Sequence, residues 1–331
     1  MANWKYGIAL PENTSWAGCV SYNNKIYCIG GRSSRSGAYL NQVKIFDPDV
    51  NIWRDGAEMP VTKSEFGCVE NNGKIYCIGG VINGQTTLRT DIYDIESDTW
   101  QTGSAMPIIT HGMGCVCKDD KIYCIGGATS VPQYYNTVRI YNINTNEWTT
   151  GEPMPTVRER FACVLVESKV YCIGGSSSGG AFDTVELYDI EMNTWSVSTP
   201  IPTPRTDFAC ITFDGKIYCM GGHSSYSDNT PSDAFEIFDI ESETWEAGEN
   251  LLEPVYASTS AVLDGKIYCI GGNDSKTVQI YSPDSGGNNG NSGQCCCCCK
   301  CKPYLTIPWC NCNKDLIHLI TENLSGCCEN K

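Results

Sequence analysis

Cysteine is the residue with the most chemistry to offer in this chain, 22 against 3 histidines in 331 residues. Ten recur as pairs nine residues apart around a two-residue turn: Cys19/Cys28, Cys68/Cys77, Cys115/Cys124, Cys163/Cys172 and Cys210/Cys219. Counting outward from each turn sets the two sulfurs on directly opposed, non-hydrogen-bonded strand positions, with Cα atoms about 4.5–5.5 Å apart. That spacing permits a cross-strand disulfide. It suits two small buried hydrophobes equally well. The second reading leads, because Met1-Ala-Asn-Trp-Lys-Tyr lacks the basic start and apolar run of a secretory signal, so a reducing cytoplasm is expected. No metal is expected here, since each pair supplies only two ligands and no histidine accompanies it. Ser260 stands opposite Cys269, so the position accepts an unbonded small residue.

A second population fills the C-terminus: Cys295, Cys296, Cys297, Cys298, Cys299 and Cys301, then Cys310 and Cys312, then Cys327 and Cys328. Such a string suits S-acylation, and several acyl chains give lasting membrane attachment. Lys300, Lys302 and the apolar run from Tyr304 to Trp309 would suit an interface. A thiolate cluster for a soft metal is the alternative, and a disordered tail with neither role is the third.

The three histidines, His111, His223 and His318, are scattered and form no evident metal triad, and no acid–base pair announces itself. No cofactor is expected. The tail from residue 295 carries four lysines and three acids, which leaves residues 1–294 at −16 of the chain's −15. A body that acidic repels nucleic acid and anionic surfaces. No apolar run approaches the 18–20 residues of a membrane span.

What positions these residues is a repeat. Lys25-Ile-Tyr-Cys-Ile-Gly-Gly31 returns at residues 74–80, 121–127, 169–175, 216–222 and 266–272. Ahead of it comes another alternating run, and between the two lies a turn such as Asn72-Gly73, a strong hairpin signal. A third strand ends on an aromatic residue (Phe46, Tyr93, Tyr141, Tyr188, Phe238, Tyr281), and seven residues later a tryptophan opens the fourth: Trp53, Trp100, Trp148, Trp195, Trp245. The unit is a four-stranded antiparallel meander, and such units stack radially as propeller blades. In the sixth repeat the tryptophan position falls on Asn288. The missing strand lies at the other end, where Trp4 precedes Pro11 by the same seven residues as Trp53 precedes Pro60. The expected fold is all-β: a six-bladed propeller over 1–282, its last blade closed by the N-terminal strand. A Gly/Asn/Ser linker follows over 283–294, then a cysteine-rich tail, 295–331, expected to be disordered.

The double glycine, the tyrosine ahead of it, and the spaced aromatic and tryptophan resemble the kelch repeat, and residues 1–282 look like a six-bladed kelch propeller. The arginine that follows Met-Pro-x-x in that family stands here only as Arg158 and Arg205, with Lys63, Thr110 and Thr14 elsewhere. The resemblance implies a non-catalytic module gripping a protein partner, cytoskeletal or tied to ubiquitin ligases. It also leaves a sugar mutarotase-like channel as the enzymatic alternative.

In such a meander the second-to-third and fourth-to-first connections share one face. The second-to-third loops vary most between repeats: 32–42, 81–90, 128–137, 176–184, 223–234 and 273–277. Recognition is expected there, through Arg32, Arg35, Tyr39, Arg89, Tyr134, Tyr135, Arg158, Arg160, Arg205, His223 and Tyr226. A central cluster of Arg158, Arg160 and Arg205 is expected to select an acidic peptide. The tryptophans and strand tyrosines, at fixed repeat positions, are expected to pack blades together.

Overall fold

The repeated Lys-Ile-Tyr-Cys-Ile run has no alternation because neighbouring sheets cover both of its faces. Ile26, Tyr27, Cys28 and Ile29 are all buried, as are their counterparts in the other five copies. A strand sandwiched in this way reads as a continuous apolar run.

The computed structural model describes residues 3–283, apart from 34–35, 132, 179 and 225–229. Six four-stranded antiparallel sheets form a ring, a six-bladed β-propeller. Blade 1 comprises Gly18–Tyr22, Lys25–Ile29, Val43–Asp47 and Ile52–Gly56. Blade 2 comprises Gly67–Asn71, Lys74–Ile78, Thr90–Asp94 and Thr99–Thr102. Blade 3 runs through Gly114–Lys118, Lys121–Ile125, Val138–Asn142 and Glu147–Gly151, and blade 4 through Ala162–Val166, Lys169–Ile173, Val185–Asp189 and Thr194–Ser198. Blade 5 has Ala209–Phe213, Lys216–Met220, Phe235–Asp239 and Thr244–Ala247. Blade 6 has Thr259–Leu263, Lys266–Ile270 and Val278–Tyr281, and Trp4–Tyr6 is its fourth strand, with Trp4 opposite Tyr281. The first strand of every blade touches the first strands of both neighbours, so these strands line the central channel.

The cores lie between blades. One cluster joins Tyr27, Ile29 and Val43 of blade 1 to Ile75, Cys77 and Tyr93 of blade 2. Another joins Tyr218, Met220 and Phe235 to Ile267, Cys269 and Trp4. All six repeat tryptophans donate their indole N–H to a carbonyl of the preceding blade, as Trp100 does to Ala57 (2.8 Å) and Trp4 to Glu249 (2.8 Å). A residue of left-handed φ in the third-to-fourth turn adds a second clamp. Asn193 Oδ1 accepts both the Tyr188 hydroxyl and the Glu152 amide (2.8 Å) of the preceding blade. These aromatic residues are therefore engaged in blade packing.

The double glycine is required twice over. Gly79 and Gly80 have φ of 62° and 88°, and a Cβ on Gly80 would lie 2.5 Å from the Ser64 carbonyl oxygen. The hairpin turns behave similarly, with Asn72 and Gly73 at 49° and 77°. Among the described residues no helix is long and apolar enough to cross a membrane.

The cysteine register is as counted, with Cys19 opposite Cys28, Cys68 opposite Cys77, and likewise through blade 5. Cys19 and Cys28 form a disulfide, which corrects the thiol expectation for blade 1; the other four pairs are thiols. The expected linker beyond residue 283 and the tail, with Cys295, Cys296, Cys297, Cys298, Cys299, Cys301, Cys310 and Cys312, lie outside the described residues.

Candidate functional site

Two residues before each first strand, the chain takes one residue in the left-handed conformation: Trp16, Glu65, Gly112, Arg160, Asp207 and Ala257, with φ between 53° and 61°. That turn points each amide at the previous blade's carbonyl. Glu65 donates to Trp16, Gly112 to Glu65, Arg160 to Gly112, Asp207 to Arg160, Ala257 to Asp207 and Trp16 to Ala257, at 2.7–3.1 Å. Six backbone hydrogen bonds thus close a ring around the channel axis.

The ring carries a charged cluster. Arg160 places Nη2 3.1 Å from Glu65 Oε2 and Nη1 3.3 Å from Asp207 Oδ2. Asp207 also accepts from Trp16 Nε1 (2.9 Å) and lies 3.1 Å from His223 Nε2. His111 Nδ1 sits 3.2 Å from Glu65 Oε2 and 3.6 Å from Glu159 Oε2. The Arg160 guanidinium carbon lies 5.9 Å from the Trp16 ring centroid, and His223 meets Tyr256 edge-on at 5.4 Å.

Burial and pairing compete at each titratable group. Burial opposes the charged form of His111, but the hydrogen bond and charge of Glu65 outweigh it and raise its pKa. Burial likewise pushes Glu65 and Asp207 up, and their partners outweigh it. His111 and Arg160 hold Glu65 low, while Arg160, His223 and Trp16 hold Asp207 low. The cluster is a paired salt-bridge network.

Trp16, Glu65, Gly112, Arg160, Asp207 and Ala257 line a cavity of ≈ 140 Å³ at the channel mouth. Sites for drug-sized ligands run to roughly 300–1,000 Å³, so this mouth takes a single side chain or a very small molecule. Two larger clefts of ≈ 470 Å³ each open between blades on the opposite face, among turn residues such as Asp119, Asp120, Asn144 and Glu191. Among the described residues no group of three or more His, Cys, Asp or Glu side chains is placed to hold a metal ion.

The expected arginine cluster does not assemble. Arg158 and Arg205 are buried within their own blades. Arg158 donates to the carbonyls of Gly174 (2.8 Å) and Thr184 (3.2 Å) and pairs with Glu186 at 2.9 Å. Arg205 does the same with Gly221, Ala234 and Glu236. The reason is local: the double-glycine turn leaves an inward carbonyl that needs a buried donor. Lys63 stands at the same position in blade 2 but reaches the strand carbonyl of Cys77 in place of a glycine's, together with the Arg89 carbonyl and Asp91. In blade 3, where Thr110 stands at that position, Arg139 on the third strand reaches Gly126 O and Thr110 instead. Of the three expected arginines, Arg160 reaches the mouth.

Of the other expected contacts, Arg32 and Tyr39 pair across a small hairpin, with the guanidinium 5.3 Å from the ring. Arg89 is held to Asp91 at 2.6 Å and stays partly exposed. Tyr134 and Tyr135 are half-buried on the blade 3 loop, and His223 is buried in the mouth network. Arg35 and Tyr226 lie outside the described residues. Similar small hairpins rise over blades 2 and 4, at Val81–Ile82 with Gln85–Thr86 and Ser176–Ser177 with Gly180–Ala181.

Trp16, Glu65, His111, Glu159, Asp207 and Tyr256 were not among the expected site residues. A signal was present for Trp16, Glu65 and Asp207: one position per repeat, two residues ahead of the first strand, varies in charge.

A ring of six four-stranded blades, with variable loops gathered about one channel mouth, defines a propeller of the kelch type. Residues 4–153 and 65–272 match the model of the KLHDC2/KLHL20/DRC7 Kelch-repeats domain, and the chain belongs to this kelch-repeat family. No curated protein matches it.

Proposed function

We propose that this chain is a non-catalytic protein-binding propeller that holds its partner on the loop face around the axial mouth. Kelch propellers generally serve as protein-interaction scaffolds. The observation that carries the reading is the contrast at that face. The central cavity is small and its charges are already paired, while blade-specific loops rise around it with Arg32, Tyr39, Arg89, Tyr134 and Tyr135 on the rim. A ringed surface of arginine and tyrosine suits a protein partner. An acidic segment would find its cations at Arg32 and at Arg89, whose partner Asp91 is shared with the buried Lys63, since Arg160 is neutralised by Glu65 and Asp207 and the other two arginines are buried. Affinity capture with the full chain tests the face. Charge reversal of Arg32 and Arg89 should release the partner, and retention of that partner by the reversed protein refutes the reading.

A second reading draws on one observation. The mouth brings together Trp16, Glu65, Arg160 and Asp207, with two histidine–carboxylate pairs behind them, groups that a small sugar would meet in a mutarotase-like site. A sugar that raises the melting temperature, with the effect lost in Glu65→Gln, would favour it.

The tail belongs to the same proposal as an acylated anchor that holds a cytoplasmic propeller at a membrane. Hydroxylamine-sensitive acyl labelling lost on Cys295–Cys301→Ser supports it, and unlabelled protein with stoichiometric zinc or copper overturns it.

A further inference from the structure

The channel wall carries a feature that partner binding does not use. Five of the six mouth residues are followed three positions later by the first cysteine of a cross-strand pair. Cys19 follows Trp16, Cys68 follows Glu65, Cys115 follows Gly112, Cys163 follows Arg160 and Cys210 follows Asp207. The five pairs therefore form a belt one layer below the mouth. In blade 6 the belt is interrupted by Ser260, whose hydroxyl donates to the Cys210 carbonyl.

Inside the belt the geometry is that of partners ready to join. The first-strand cysteines Cys68, Cys115, Cys163 and Cys210 are partly exposed on the channel side, and their second-strand partners are buried behind them. Sulfur separations are 2.8 Å for Cys115 and Cys124, 3.1 Å for Cys210 and Cys219, and 3.5 Å for Cys163 and Cys172. The Cα atoms of the opposed Cys19 and Cys28 stand 4.2 Å apart, and that pair is already bonded. Room for sulfur is made by the neighbouring blade: a Cβ on Gly67 would lie 2.1 Å from Cys115 Sγ, and one on Gly114 2.1 Å from Cys163 Sγ.

We propose that this belt is a reversible oxidation site, in which a small peroxide entering the channel converts the remaining four pairs to cross-strand disulfides and so stitches the strands that carry the mouth. In each pair the first-strand thiolate attacks a peroxide oxygen, the O–O bond breaks, and a sulfenic acid and an alcohol (water from hydrogen peroxide) result. The second-strand thiolate then attacks that sulfur and releases water. The balance is two thiols and one peroxide giving one disulfide, one water and one alcohol or second water. Burial and the neighbouring sulfur push the Cys115, Cys163 and Cys210 thiols up, so the reaction is slow near neutrality and quickens as pH rises. Cys117 lies opposite Ile122 and Cys269 opposite Ser260, so neither has a partner in its register.

The test uses the full chain, reduced, exposed to hydrogen peroxide in steps, denatured with N-ethylmaleimide and digested with trypsin. Lys25, Lys74, Lys121, Lys169 and Lys216 each fall between the two cysteines of a pair, so a formed disulfide holds two tryptic peptides together. The expected products are five such linked pairs, the re-formed Cys19–Cys28 pair of blade 1 and the four new ones, each about 2 Da lighter than its reduced peptides and separated by dithiothreitol, with Cys117 and Cys269 carrying maleimide. Cys115→Ser, which copies the natural serine of blade 6, should leave Cys124 alkylated and the other four pairs unchanged. Blade cysteines that stay fully alkylated through the titration overturn the proposal. So do links that join different blades, or that join blades to the tail.

Discussion

Arg160 and Asp207 are joined twice across the boundary between blades 4 and 5. The Asp207 amide donates to the Arg160 carbonyl at 3.0 Å, and the Arg160 guanidinium reaches the Asp207 carboxylate at 3.3 Å. The first bond belongs to the ring that closes the channel mouth, and the second ties the side chains on that ring into one network. Because Glu65 lies on the far side of Arg160, removing the guanidinium takes away the cation that the two buried carboxylates share and leaves each beside a histidine, His111 or His223. Arg160→Met is expected to cost about 3 kcal/mol, the lower end for breaking a buried pair, since Arg160 keeps some solvent contact. Urea unfolding measures it, and Arg160→Met with Asp207→Asn should recover part of the loss.

Arg205 separates structure from recognition. It is buried, bonded to the carbonyls of Gly221 and Ala234 and paired with Glu236 at 2.6 Å. Arg205→Met strands the Glu236 carboxylate and should destabilise the propeller by about 3–5 kcal/mol. Protein that remains folded should still hold its partner, as shown by comparing the denaturation midpoint with partner retention.

The mouth network has a defined pH window. His111 is raised above its ordinary 6.5, so its stabilisation is whole below that value and is lost as pH climbs through the folded pKa. Glu65 and Asp207 are lowered from 4.5 and 3.8, so theirs is whole above those values and lost as pH falls. The contribution peaks between about pH 4.5 and 6.5. The melting-temperature gap between the native protein and His111→Gln should be widest near pH 5–6 and close above neutrality. A gap that widens with rising pH contradicts this assignment.

Trp4 holds the ring shut. It is buried, edge-on to Phe235 at 5.2 Å, and donates to the Glu249 carbonyl at 2.8 Å. Trp4→Ala should cost about 3–5 kcal/mol. Deleting residues 1–6 uncovers the Val278–Tyr281 edge, and size-exclusion chromatography should then show aggregation.

The architecture was legible because each repeated signal has a single physical use. The double glycine requires positive φ, the Asn-Gly pair makes the hairpin, and the tryptophan spans blades, so six copies and a displaced Trp4 specify a closed ring. The mouth was less legible. Its ring residues share a backbone conformation, so tryptophan, glutamate, glycine, arginine, aspartate and alanine all occupy one position, and no residue type marks it. Arg158 and Arg160 look equivalent in sequence, yet only burial distinguishes the carbonyl-binding arginine from the one at the mouth. His111 and His223 are 112 residues apart and become neighbours of one network only through ring closure.

The most direct measurement of the central claim is the affinity of the captured partner for the propeller, compared between its two faces. Tyr39→Ala with Tyr134→Ala on the loop rim should weaken binding about tenfold or more. Lys216→Glu, beside the Asp214-Gly215 turn on the opposite face, should leave the affinity unchanged. Full affinity in the rim variant, or loss of binding through Lys216→Glu alone, would contradict the account.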